Sequence, residues 1–234
     1  MRFEQKLIEG TLVRRYKRFL ADVRLADGAE ITVHCANPGS MQTCSDPGSK
    51  VLLSTTENPS RRFKHQLEIV YAGRTPVGVH TGRPNLIVAE SIAAAKIPEI
   101  SGYATLKREI AYGLNSRIDI LLEGNGLRPC YIEVKNVTLA RDGIAYFPDA
   151  VTERGRKHMV ELIDIVRRGH RAVVFFVAQR GDVQRFRPAD DIDPEYAEAF
   201  RDAVARGVEP LCYRAKVART GIDLEEKLPV DLGD

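Results

Sequence analysis

The feature that most constrains this chain is a change of pattern at Thr81-Gly82-Arg83-Pro84. Before it, short β-rich runs at residues 10–19, 20–25, 31–34, 51–56, 67–71 and 77–79 are cut by Asp27-Gly28, Asn37-Pro38-Gly39, Asp46-Pro47-Gly48 and Asn58-Pro59. Asp27-Gly28 between the alternating VRLA and EITV segments is the clearest hairpin signal. Short strands packed this densely fit a small barrel of the oligonucleotide-binding (OB) type, whose strand faces and loops take a nucleic-acid strand. An SH3-like barrel fits nearly as well.

After Pro84 helices alternate with strands. Residues 85–96 are rich in Ala, Leu, Ile and Val with no breaker until Pro98, which predicts a helix. Strands are expected at 106–112, 117–122 and 129–137. A second helix spans 152–168, with Met159, Leu162, Ile163 and Val166 on one face and Gly169 as its stop. The AVVFFVA run within 171–178 is continuously apolar, as in a strand buried on both faces of a sheet. A third helix is expected at 194–206 and an edge strand at 211–217, with the acidic tail from Asp223 loose. The organisation read from this pattern is α/β (α+β overall): a barrel over residues 1–84, then an α/β domain with a central sheet over 85–234.

A chain of 234 residues is long enough to bury a core without disulfide or metal staples. Its four cysteines, Cys35, Cys44, Cys130 and Cys212, form no CxxC pair and read as buried free thiols. His34-Cys35 followed by Cys44 lacks the second pair that a zinc site needs. No apolar run approaches the roughly 20 residues needed to cross a bilayer, and MRFEQKLIEG carries no apolar signal core, so the chain reads as cytoplasmic, without a membrane partner.

The net charge of +3 says little, but its distribution is uneven: residues 1–84 hold 13 Lys and Arg against 8 Asp and Glu, and the remainder 22 against 24. The basic excess includes Arg14, Arg15, Lys17 and Arg18 around Tyr16 and Phe19, and Arg61, Arg62 and Lys64 around Phe63. Cations suit phosphates and aromatic faces suit unstacked bases, so these residues are candidates for binding DNA without sequence preference; solvated strand and loop faces would carry the same composition.

Chemistry concentrates in two segments, RIDILL at 117–122 and CYIEVK at 130–135. In a strand Glu133 and Lys135 share a face, with Ile132 and Val134 on the other. An odd hairpin loop places Asp119 opposite Glu133, Ile120 opposite Ile132 and Ile118 opposite Val134. One face is then aliphatic, while the other holds two carboxylates and an ammonium. Carboxylates opposed at about 5 Å repel, and a divalent cation removes the conflict: Mg²⁺, or Mn²⁺ in its place, takes oxygen ligands from one or two carboxylates, water and phosphate. Lys135 can orient or deprotonate an attacking water, or offset charge on the phosphate. An exposed strand with ordinary Glu and Lys alternation would read the same way. Glu90, an acid inside the apolar run LIVAESIAAA, is a further candidate for this site or a partly solvated helix position. The turn TERGRKH at 152–158 adds Arg156 and Lys157 near a helix N-terminus that favours phosphate. No GxSxG elbow or GK[ST] phosphate loop is present.

Asp119 followed by Glu133-Val134-Lys135, with a helical Glu before and a helix and buried strand after, resembles the PD-(D/E)xK nuclease-like superfamily. Over nearly its full length the chain resembles the sugar fermentation stimulation protein A family. RFLADV at 18–23, HCANPGSM at 34–41, YIEVKNVTL at 131–139, FPDAVTERG at 147–155 and FRPAD at 186–190 carry that resemblance. It implies an amino-terminal OB-like domain followed by a nuclease-like domain with a mixed sheet, nonspecific DNA binding and a regulatory role in sugar, especially maltose, metabolism. Nuclease activity is an inference from the superfamily, with a noncatalytic DNA-binding regulator as the alternative. Arg117-Ile118 precede Asp119 where the superfamily has a Pro, which removes no ligand.

Overall fold

The structure, a computed structural model, describes residues 1–112 and 116–233. Six strands open the chain: β1 Ile8–Tyr16, β2 Leu20–Leu25, β3 Glu30–His34, β4 Lys50–Thr55, β5 His65–Ala72 and β6 Thr75–Gly78. They run in the order β3-β2-β1-β4-β5-β6, and an added β3–β5 pairing closes the first five into a barrel. Closure in the order 1-2-3-5-4-1 is the OB arrangement and leaves no free edge among the five strands. Leu12, Val23, Val33, Val51, Leu53, Leu67 and Val70 fill the interior. The Asp27-Gly28 turn forms as the sequence indicates, with Gly28 at φ 86° and the Asp27 carboxylate accepting from Ala29 N at 3.0 Å.

The second unit begins with α1 Arg83–Ala93, with Pro84 in its first turn. Then follow β7 Thr105–Tyr112, β8 Ser116–Glu123, β9 Cys130–Val137, β10 Leu139–Arg141, β11 Ile144–Phe147, α2 Glu153–Arg167, β12 Arg171–Ala178, β13 Arg185–Pro188, α3 Pro194–Ala205, β14 Glu209–Ala218 and β15 Gly221–Leu228. A mixed sheet runs β15-β14-β12-β9-β8-β7, with β12 parallel to both neighbours. Alternate β12 residues explain its continuous apolarity. Val173, Phe175 and Val177 pack with Ile87 and Val88 of α1 and with Leu52 and Ile69 of the barrel wall. Val174 and Phe176 pack with Met159 and Leu162 of α2 and with Tyr196 and Phe200 of α3. Thr152 and Asp193 cap α2 and α3 through their side-chain oxygens.

Several expectations need correction. The acidic tail is not loose: β15 pairs antiparallel with β14, so 211–217 lies inside the sheet and β15 forms its edge. Residues 139–147 and 185–188 build a small three-stranded sheet that weak, short apolar runs did not announce. The first residues, ahead of the first strand, pack away from the barrel strands: the Arg2–Gly221 bridge and the Phe3 N bond to Thr220 O (3.1 Å) tie them to the β14–β15 hairpin. Among the described residues no helix is long and apolar enough to cross a membrane.

Candidate active site

The expected β8–β9 register holds where the strands pair, with Ile120 opposite Ile132 and Leu122 opposite Cys130. The ladder ends there. Instead of facing Glu133 across a regular rung, Asp119 takes the backbone N–H of Val134 on Oδ2 at 2.7 Å. Its Oδ1 accepts from Asn85 Nδ2 of α1 at 2.7 Å. Strict alternation in β8 also fails at this point, where the β7–β8 register passes from Arg108–Ile120 to Ile110–Ile118 and Glu109, between them in β7, has φ 53°. Ile118 consequently packs with the α2 side and Ile120 with the α1 side, so they do not share the single aliphatic face expected of them.

Glu133 is buried, at 6% exposure, and Lys135 Nζ donates to its Oε1 at 2.8 Å. His158, on the inward face of α2, places Nδ1 against the same Glu133 oxygen and 3.1 Å from Lys135 Nζ. The carboxylates are pushed in opposite directions. Burial, and then the charge of Glu133, raise the pKa of Asp119. Burial also opposes ionisation of Glu133, but the Lys135 charge and the His158 hydrogen bond together outweigh it and lower its pKa.

Asp119, Glu133, Lys135 and His158 line one cavity of about 460 Å³. The barrel supplies part of its wall through Arg18 and Asn37-Pro38-Gly39, and 147–152 with Arg154 supply another. The wall is braced across the domains: Met41 N donates to Asp149 Oδ2 at 2.9 Å, and Ser40 Oγ to Asp149 O at 2.5 Å. Gly39 is required by close approach, since a Cβ there would stand 2.2 Å from Asp149 Oδ1.

The remaining candidates are dispersed. Glu90 is half exposed and lies outside the cavity, its carboxylate 2.8 Å from the Met1 ammonium. The α1 residue that reaches the carboxylates is Asn85, more than a turn earlier. Arg14 is exposed and pairs with Asp22 at 2.8 Å. Arg15 does not face a ligand: its guanidinium donates to the carbonyls of Asn37 and Gly39 (both 2.7 Å), Arg18 (2.9 Å) and Ser40 (3.1 Å), holding the cavity wall. Lys17, Arg18, Phe19, Arg61, Arg62 and Lys64 are exposed on the β1–β2 and β4–β5 connections. Arg156 is paired with Asp193 and Glu195, and Lys157 lies 3.6 Å from Glu161, so neither is the cation that α2 offers the cavity. Arg154 is, with Nε 3.3 Å from His158 Nε2. His158 was legible in principle, four residues before Leu162 on the apolar stripe of α2; Asn85 carried no signal.

A family profile described as the sugar fermentation stimulation protein RE domain matches residues 82–221, and one described as the SfsA N-terminal OB domain matches 13–79. The chain belongs to the sugar fermentation stimulation protein family. Among its relatives, a sugar fermentation stimulation protein homolog of Geobacter sulfurreducens is 53% identical over 97% of both chains. One from Paramagnetospirillum magneticum is 51% identical over 99% of this chain and 98% of its own. The structure of Pyrococcus furiosus SfsA in complex with Ca²⁺ superposes with a TM-score of 0.89 at 25% identity, covering 99% of this chain and 98% of that one. The family assignment agrees with a closed barrel followed by a mixed α/β sheet, so the OB alternative is the right one of the two barrels left open by the sequence.

The donor set suits a hard divalent cation. Each carboxylate oxygen has two lone pairs, and the hydrogen bonds to Asp119 leave capacity on both of its oxygens. Among the described residues no group of three or more His, Cys, Asp and Glu is disposed to hold a metal ion by itself. One or two carboxylates with water and phosphate are the ligands that a cation such as Mg²⁺ commonly takes.

Proposed function

We propose that this chain is a DNA-binding phosphodiesterase whose Mg²⁺- or Mn²⁺-dependent site is the Asp119/Glu133/Lys135 cavity. The observation that carries the reading is the enclosure of two carboxylates and an ammonium together, with Asp119 held reluctant to ionise by burial and by Glu133. Asp119 and Glu133 would hold a cation that relieves that opposition, and such a cation would supply a Lewis acid for a phosphodiester oxygen. The Pyrococcus furiosus relative, solved with Ca²⁺, supports divalent-cation binding in this family. Val134 N and Asn85 orient Asp119, while His158 and Lys135 orient Glu133. An ammonium has three hydrogens; Lys135 commits one to Glu133, while His158 Nδ1, which donates to the same carboxylate, cannot accept a second, so hydrogens remain for a phosphate oxygen or the attacking water. Arg18 and Arg154 at the rim hold the flanking phosphates, and Lys17, Arg61, Arg62 and Lys64 extend a charge-driven, sequence-independent surface for DNA.

Calorimetric titration with Mn²⁺ should show one site that Asp119→Asn and Glu133→Gln remove. Metal-dependent cleavage of labelled DNA should vanish in Lys135→Ala while DNA affinity stays within a few-fold, because one phosphate contact among several contributes little. Unchanged metal binding in both carboxylate variants, or cleavage equal in wild type and Lys135→Ala, overturns the assignment. Absence of cleavage from the wild type over a broad panel of substrates and metals would make the chain a noncatalytic DNA-binding regulator of sugar metabolism built on the same scaffold.

A further inference from the structure

We infer that the barrel carries a stacking track for one unpaired DNA strand, leading from the catalytic cavity over Phe19 and His34 to the groove beside Arg61, Arg62 and Phe63. The inference deepens the phosphodiesterase reading and rests on it for the destination of the strand, since it names the substrate of that cavity as single-stranded.

Phe19 is a large apolar side chain left 45% exposed at the tip of the β1–β2 turn. It stacks on the His34 ring with centroids 6.4 Å apart and planes 17° from parallel. The preceding residue, Arg18, lines the catalytic cavity, so the two features adjoin along the chain. Beyond His34, strand register continues the row: Leu20 pairs with His34 and His34 with Gln66.

Gln66 and His34 then line a second cavity, also about 460 Å³, together with Thr56, Arg61 and His80. A smaller groove shares His34, Thr56, Arg61 and Gln66 and adds Arg62 and Phe63. Arg62 lies over the Phe63 ring at 5.3 Å. Among the described residues the side chains of Arg61 and Gln66 make no hydrogen bond, which leaves a cation for a phosphate and an amide for a base edge. Burial lowers the pKa of His80, and Arg83, which lines the same cavity, is paired with Glu68.

The two connections involved, β1–β2 and β4–β5, are the loops through which OB barrels take oligonucleotides. Exposed aromatic faces bind unpaired bases, whose faces are free; in a duplex those faces are covered by neighbouring pairs. A surface built only for duplex phosphates would need the cations and not Phe19, and a protein partner would not call for cations interleaved with rings along a groove that ends at a phosphodiester site.

The test measures binding in EDTA, where cleavage cannot intervene. A 12-nucleotide single strand and a blunt hairpin duplex of the same sequence, each with an internal 2-aminopurine, are titrated by fluorescence anisotropy and 2-aminopurine emission. The single strand should bind about ten-fold or more tightly than the duplex and lose emission on stacking. Phe19→Ala should weaken single-strand binding about ten-fold and remove the emission change, leave duplex binding unaltered, and be rescued by Phe19→Tyr; an unchanged melting temperature certifies the fold of each variant. Equal or tighter duplex binding, or single-strand binding indifferent to Phe19→Ala, overturns the track. Failure of the hydrolysis reading shows separately, as no metal-dependent cleavage with this binding pattern intact.

Discussion

Replacing Arg15 by Ala separates a wall-bracing arginine from a ligand-binding one. The guanidinium bonds four carbonyls, those of Arg18, Asn37, Gly39 and Ser40, while its Nε is buried with no partner. Three of the four bonds share the two hydrogens of Nη2, so the effective number is two or three. Bonds from a charged donor contribute about 1.5–3 kcal/mol each, and the half-exposed position favours the low end, giving a gross loss of about 4 kcal/mol. Removing the orphaned Nε returns about 1 kcal/mol of desolvation. The net cost is about 2–3 kcal/mol, a fall in Tm of about 4–12 °C for a chain of this size. Scanning fluorimetry of wild type, Arg14→Ala and Arg15→Ala decides it. Arg14, in an exposed ion pair with Asp22, should leave Tm nearly unchanged. Arg15→Lys should not restore stability, because a single ammonium cannot span the carbonyls that the planar fork reaches. A Tm for Arg15→Ala indistinguishable from that of Arg14→Ala would refute the bracing role and return Arg15 to the surface that meets DNA.

Gly39→Ala should drive the Asp149 carboxylate from its place against Met41 N and lower stability by about 1–3 kcal/mol, the cost of overpacking, read as an earlier urea midpoint; an unshifted midpoint would show that the wall yields freely. The hydrogen bond from Arg180 lowers the pKa of Asp182, so its folded-state value lies below its unfolded one. The associated stability is therefore present above about pH 4 and is lost as pH falls through the folded-state value. Urea midpoints between pH 6 and pH 3 should decline less steeply in Asp182→Asn than in wild type, and parallel declines would contradict the assignment.

Local chemistry made much of this molecule readable in one dimension. Turn residues and period-2 alternation marked the barrel strands, and the Asp27-Gly28 hairpin follows from a backbone conformation that few residue pairs adopt. The AVVFFVA run announced a strand covered on both faces. Ile120 and Ile132 announced the β8–β9 register, because a one-residue slip would turn every side chain to the wrong face. Asp119, Glu133 and Lys135 could be placed near one another by that register alone. The tertiary structure decided what those rules do not reach. Charged and amide side chains have no periodic signature, and their partners are chosen by long-range packing. Arg15 found three carbonyls of a loop more than 20 residues away, Glu90 found the Met1 ammonium, and Asn85 found Asp119 across a helix–sheet contact. The β15 strand stayed hidden for a related reason: an acidic edge strand has a solvated face, and only pairing with β14 distinguishes it from a loose tail.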